Sequence, residues 1–233
     1  MRRKTSSPFS WSVFMDDPDM PQPLSRVRSN ASYSIGAHGW PALPKRPELA
    51  ALAMEAIASW SNVEAELLAA YIQLMGGKDD RAAIAYLSLD TQNAKSRIIT
   101  AVADAVLSEL ECKVLNAILR IAKTHQRKRD KLAHWVWGIS DDLPDALLLA
   151  NPKKMHSGFP DRSDIFVYTK RDFEEIIADN NRLAFMAGCF IGVIRRPPDV
   201  RESFQPLETL CRAPEIREIL DLPDSPNQFQ PLK

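Results

Sequence analysis

The chain has 233 residues, 45% of them hydrophobic and 26% charged, with 30 Lys and Arg against 30 Asp and Glu. That is enough for one good core with an appended subdomain, and the composition is that of an ordinary soluble protein. A formal net charge of +0 excludes a protein coated in nucleic acid but leaves room for a local basic groove, and three widely spaced cysteines (Cys112, Cys189, Cys211) give no CxxC pair for a zinc or thioredoxin-type site.

The first stretch, MRRKTSSPFSWSVFMDD, is charged and lacks a continuous apolar run, so no secretory signal is expected there. An odd cysteine count without such a signal suits a reducing cytoplasm. Residues 1–46 hold Pro8, Pro18, Pro21, Pro23, Pro41 and Pro44 with many serines and no apolar periodicity, which predicts an irregular arm. Trp11, Phe14 and Trp40 are its large side chains.

A first helix is predicted from Pro47, because proline suits the first helical turn. Leu49, Leu52, Ile57, Trp60, Val63, Leu67, Tyr71 and Leu74 form its apolar stripe, and Gly76-Gly77 ends it. A short helix follows from Asp79 to Leu87, then a break over Ser88–Asp90. A third helix spans Thr91 to Ser108, with Ile98, Ile99, Val102 and Val106 inward. A fourth runs from Glu109 to His134, with Val114, Ile118, Ile121 and Leu132 along one side and His125 on that same stripe. After Gly138 the pattern changes. Asp141–Asp145 is a turn, and the apolar runs Ala146–Ala150 and Ile165–Tyr168 are predicted to pair as two strands. Another helix begins at Thr169 or Lys170, with Thr169 as cap and Asp172 in the first turn, and stops at Arg195-Arg-Pro-Pro198. The tail from 198 to 233 is polar, with one short helix from Ala213 to Leu220. The longest apolar run, Leu183–Ile194, is interrupted by Gly188 and Gly192 and is too short to span a bilayer, so no membrane association is expected.

The segment Arg127-Lys-Arg-Asp-Lys-Leu-Ala-His-Trp-Val-Trp-Gly138 carries most of the chemical suggestion. Arg120, Lys123, Arg127, Lys128, Arg129 and Lys131 make the densest basic run, against the single acid Asp130. A solvated helix face is the plain reading of such a run. The imidazole of His134 beside it adds another: a group that titrates near neutrality next to cations that can grip a phosphate. Asp130 and His134 are four apart, so on a continuing helix they share a face. A carboxylate there fixes the imidazole tautomer and favours its protonated form. Asp130 pairing with Lys131, Arg127 or Lys128 at the surface is the other reading. Arg129 and His134 are five apart and point about 140° away from each other on an ideal helix. Either the helix unwinds between them or two chains share one site. A terminal histidine can also simply meet the end carbonyls of its helix.

A long bundle helix ending in Arg129-Asp-Lys-Leu-Ala-His134 resembles the HEPN superfamily, whose signature is an Arg, four to six residues, then His. Arg129 and His134 enclose four residues, Arg127 and His134 enclose six, and Leu132-Ala133 also suits the common form. Asp130 stands where Asn is usual, and Trp137 stands where some members have Tyr. The resemblance covers roughly Pro47 to Gly138. It implies a mainly α fold, a HEPN-like four-helix bundle, here with a small two-stranded element and an additional C-terminal helix.

It further implies a metal-independent endoribonuclease or RNA-binding protein, without cofactor, working as an antiparallel homodimer with both motifs at a shared cleft. In such a site His134 acts as acid or base, Arg129 stabilises the phosphate, and Asp130 orients the imidazole. Arg127, Lys128, Lys131 and Lys123 are the expected RNA contacts. Toxin–antitoxin systems and antiviral defence are the settings suggested by analogy, with an antitoxin or regulatory protein as partner.

Trp135 and Trp137 are expected in a core rather than stacked on a base. Phosphate loops, GxGxxG, HExxH and GxSxG are absent from the sequence, and His38 and His156 lack metal-ligand neighbours. The alternative function is a catalytically inactive HEPN-like interaction module binding a partner protein or nucleotide. The expected organisation is an arm over 1–46, the helical bundle over 47–138, a strand pair plus helix over 139–197 that completes the domain, and a polar tail.

Overall fold

A computed structural model describes residues 21–36, 42–77, 80–155, 158, 160–201 and 203–220. Trp11, Phe14, Trp40, His38 and His156 lie outside them. The described chain is mainly helical with one four-stranded antiparallel sheet. It divides into two compact units, residues 1–50 with 135–173, and residues 51–134 with 174–233.

The sheet belongs to the first unit. Its strands are β1 (Ser34–Ile35), β2 (Val136–Ile139), β3 (Ala146–Ala150) and β4 (Ile165–Thr169), neighbours in that order. The expected pairing of Ala146–Ala150 with the segment from Ile165 is present, with Leu148 opposite Val167. The sheet, however, has four strands where two were expected. β2 had been hidden in the Trp-Val-Trp-Gly run read as the end of the motif. β1 is only two residues long, too short to show alternation. Gly138 explains why β1 can lie there: a Cβ at this position would meet the Ser34 carbonyl oxygen at 2.6 Å.

A short helix, α1 (Leu24–Val27), precedes β1, so the described part of the arm contributes structure to the unit. Leu24 and Ala31 are buried with Ala146, Leu148, Ala150, Ile165 and Val167. Burying one such Leu contributes about 1.5–3 kcal/mol. Asp142, in the β2–β3 turn, accepts from Ser32 N–H and Oγ at 2.8 Å each, and Arg28 lies 3.3 Å away. These bonds hold the Asp142 carboxyl below its ordinary pKa. The β3–β4 connection contains a further helical turn, Pro152–Met155.

The long helices are α2 (Pro47–Leu74), α3 (Asp80–Leu87), α4 (Gln92–Val106) and α5 (Glu109–His134). They are followed by α6 (Pro152–Met155), α7 (Lys170–Ile194), α8 (Pro198–Arg201), α9 (Gln205–Arg212) and α10 (Pro214–Leu220). α2 starts at the expected proline, and Gly76 and Gly77 beyond its end adopt φ of 103° and 81°, the left-handed conformation that closes a helix. At the start of α7, Asp172 Oδ2 accepts from the N–H and the hydroxyl of Thr169 at 2.6 Å each.

The second unit's core gathers Trp60, Val63, Leu67, Tyr71, Ile99, Val114, Ile118, Leu183, Phe190 and Val193, with Leu207, Leu210, Cys211 and Ile216. Val106, expected inward, is 50% exposed, and Ala103 is buried on α4 in its place beside Ile99. α8 and α9 arise in the tail read as polar. Leu207, Leu210 and Cys211 of α9 are buried at the three- and four-residue spacing of an amphipathic helix. Among the described residues, no helix is long and apolar enough to cross a membrane.

Candidate functional site

α5 positions every residue of the basic motif. Ser108 and Glu111 start it with a reciprocal box: Ser108 N–H donates to Glu111 Oε2 at 2.8 Å, and Glu111 N–H donates to Ser108 Oγ at 3.4 Å. Val114, Leu115, Ile118, Ala122 and Leu132 then bury one side of the helix. Leu132 is fully buried two residues before the end, which anchors the last turn. Truncating such a Leu to Ala costs about 2–5 kcal/mol. Helical hydrogen bonding continues to His134, and β2 starts two residues later.

Because α5 does not unwind, Arg129 and His134 stay about 140° apart around the axis. Within one chain the structure does not bring them together. Arg129 lies towards the buried side, its Nη1 donating to Asp130 Oδ1 at 3.1 Å and its Nε buried without a partner. Arg127 and His134 are seven apart and therefore within about 20° of each other. Both are exposed. Asp130 lies between them on that side, within about 40° of His134. Its carboxylate is held by Arg129, while Lys128 is engaged elsewhere, and among the described residues no hydrogen bond joins it to His134.

The other expected RNA contacts divide. Lys123 and Arg127 are exposed, and neither forms an ion pair among the described residues. Lys128 is committed to α7, its Nζ 3.0 Å from Asp179 Oδ2. Lys131 is half-buried, and burial followed by the nearby Lys128 lowers its pKa. Trp135 and Trp137 leave the helix and pack on aromatic neighbours in the first unit. Their ring centroids lie 5.8 Å from Phe166 and 6.3 Å from Phe173. Both indoles are half-buried, and Phe173, the partner of Trp137, is fully buried.

Two features had not been read from the sequence. One is a buried polar cluster beneath α5. Asn180 is 1% exposed, and its Nδ2 donates to Ser59 Oγ at 2.9 Å and to Ala56 O at 3.3 Å. Its Oδ1 and the nearby His125 Nδ1 are buried without partners. Burial lowers the His125 pKa against the pull of Asp179, while Lys128 lowers it further and Asn180 and Glu215 raise it. The Asn180-Asn181 pair inside an apolar helix was the available signal. The other is an open groove between α4 and α5, where Arg97 and Arg120 join Lys123. Arg120 belongs to the basic run of α5, and Arg97 lies outside it on α4.

Among the described residues, no group of three or more His, Cys, Asp or Glu is placed to hold a metal ion. The thiols are not poised for chemistry either: burial pushes Cys211 up to about 11 and raises Cys112 and Cys189. Comparison with family models, with curated proteins and with solved structures gives no match.

Proposed function

We propose that this chain is a metal-independent endoribonuclease of HEPN type, with His134 as its proton-transfer group. The observation that supports the reading best is the shared exposed face of Arg127, Asp130 and His134 at the end of α5. Attack of a ribose 2′-oxygen on the adjacent phosphorus forms the P–O2′ bond and breaks P–O5′. The 2′-OH loses a proton and O5′ gains one, and the phosphorane between them carries extra negative charge. An accessible imidazole serves either proton transfer, and such groups contribute typically about 10²–10⁴-fold. The forked donors of Arg127 suit the non-bridging oxygens.

Arg129 then acts through Asp130, whose carboxylate it holds one turn before the imidazole. It is a positioning residue within one chain. In the proposed antiparallel homodimer, the second chain supplies the second proton-transfer group and can present its own arginines at the shared cleft. The four-helix HEPN bundle is part of the same proposal.

The test is cleavage of labelled single-stranded RNA and total tRNA in EDTA by wild type, Arg127→Ala, Arg129→Ala and His134→Ala, with sedimentation to measure the association state. Wild type should leave 2′,3′-cyclic phosphate ends, His134→Ala should be inactive, and Arg127→Ala should lose more than Arg129→Ala. Equal cleavage by all four proteins sinks the site. A wild type without activity on either RNA removes the enzyme reading and leaves the interaction module.

A further inference from the structure

The face of α5 that carries His134 does not end at the motif. Stepping back by four and three residues from His134 gives Asp130, Arg127, Lys123, Arg120 and Asn116. All lie within about 40° of one line along an ideal helix. Asn116, Arg120, Lys123, Arg127 and His134 are exposed, so the line is a surface stripe. It is about 27 Å long, at 1.5 Å per residue.

The first half of this stripe, Asn116, Arg120 and Lys123, forms one wall of the groove between α4 and α5, a depression of about 820 Å³. The opposite wall is α4, with Gln92, Asn93 and Arg97. Thr100 Oγ1 donates to Asn116 Oδ1 at 3.3 Å and ties the two helices together. Arg97, Arg120 and Lys123 form no ion pair among the described residues, although Lys113 and Lys128 on the same helix do. Three cations therefore face solvent along the groove against one acid, Asp104. α4 begins beside the part of the groove that contains Gln126, whereas α5 continues two turns further to His134. The groove thus opens towards the candidate catalytic end.

We infer that the α4–α5 groove is the track for the single-stranded RNA leading to His134. This rests on the ribonuclease reading and adds to it the path of the substrate. The chemistry fits such a strand. Arg97, Arg120 and Lys123 meet backbone phosphates, amides such as Asn93 and Gln126 offer a donor and an acceptor each to base edges, and the half-buried Ile98 supplies apolar surface for a base face. An acidic peptide would use the cations but leave the paired amide functions and the approach to His134 without a role.

The test uses a fluorescent 2′-O-methyl oligoribonucleotide, which binds but cannot undergo 2′-OH attack, and the full chain carrying Arg97→Gln, Arg120→Gln and Lys123→Gln together. Affinity should fall at least about tenfold, and the slope of log affinity against log salt should become shallower by about 2, from about 0.7 per lost single-strand phosphate contact. Asp104→Asn, which removes the groove's acid, should bind more tightly than wild type, so the inference does not depend on a loss alone. Arg195→Gln, a cation outside the groove, serves as the control.

Unchanged affinity in the triple variant, with wild type binding and cleaving RNA, overturns the track and leaves the His134 reading standing. Groove-dependent binding with cleavage indifferent to His134→Ala overturns the His134 reading instead. Binding of a fluorescent acidic peptide to wild type that is lost in the triple variant, with no binding of the oligonucleotide to wild type, assigns the groove to a protein partner and also overturns the track.

Discussion

His125 and His134 lie nine residues apart on one helix and face opposite ways. At about 100° per residue they are half a turn out of phase. His125 sits among Lys128 and, from other helices, Asp179, Asn180 and Glu215, with a lowered pKa and an unpartnered Nδ1. His134 is exposed beside Arg127. The same side chain is built into the body on one face of α5 and offered to solvent on the other, and helix phase alone decides which. Histidine count therefore says little about chemistry until the phase is known.

The largest expected separation of the two is in cleavage. His134→Ala should lose about 10²–10⁴-fold in rate, the usual contribution of a proton-transfer group, with an unchanged urea midpoint. His125→Gln should keep its rate and change stability instead. A rate loss in His125→Gln equal to that in His134→Ala, measured on the same RNA, would remove the distinction.

Next in size is the start of the helix that carries both. Ser108→Ala removes a cap bond and should cost about 1 kcal/mol, the typical value for an N-cap. Urea unfolding reads this directly, and RNA cleavage per folded molecule should not move.

The buried His125 should add to the acid sensitivity of the fold. The His125 pKa is lowered in the fold, so below its ordinary value of 6.5 the unfolded chain takes up the proton first. This contribution to stability is full above pH 6.5 and is lost as the pH falls through the folded value. Urea midpoints across that range should decline in wild type, and His125→Gln should flatten the decline. An identical slope in both proteins would assign the acid loss to other groups.

The smallest effect concerns the Lys128–Asp179 pair, whose partners are 29% and 43% exposed. Lys128→Gln should change stability by less than about 1 kcal/mol, as for other solvent-screened pairs. The accompanying loss of positive charge near His125 should raise that histidine's pKa, which NMR titration of its ring protons can follow.

Helix boundaries were the most legible part of this sequence. Pro47, Gly76-Gly77 and Thr91 are local signals, and each marks a helix end or cap in the structure, whereas the Ser108–Glu111 box emerged only there. Ala146–Ala150 and Ile165–Tyr168 were legible as continuous apolar runs, and they become β3 and, with Thr169 added, β4. β1 was not, because two residues carry no period and its place depends on Gly138, far along the chain. α9 carried its amphipathic spacing openly, but the prolines around it obscured the pattern. At the candidate site, residue types and spacing were visible while their directions were not. The sequence left open whether α5 unwinds, and its continuation to His134 places Arg127, rather than Arg129, on the histidine's side.

The pairing of Ser34 with Ile139 also bears on the order of assembly. Residues 21–35 leave the ribosome long before their sheet neighbours in β2, β3 and β4 exist. The intervening segment, residues 51–134, can form its helices from local contacts, which is fast. The sheet must instead close a loop spanning that whole segment before β1 gains a partner. Residues 21–35, made before the helices of that segment, are thus among the last to find their place, and until then Leu24 and Ile35 stay exposed to whatever holds nascent chains.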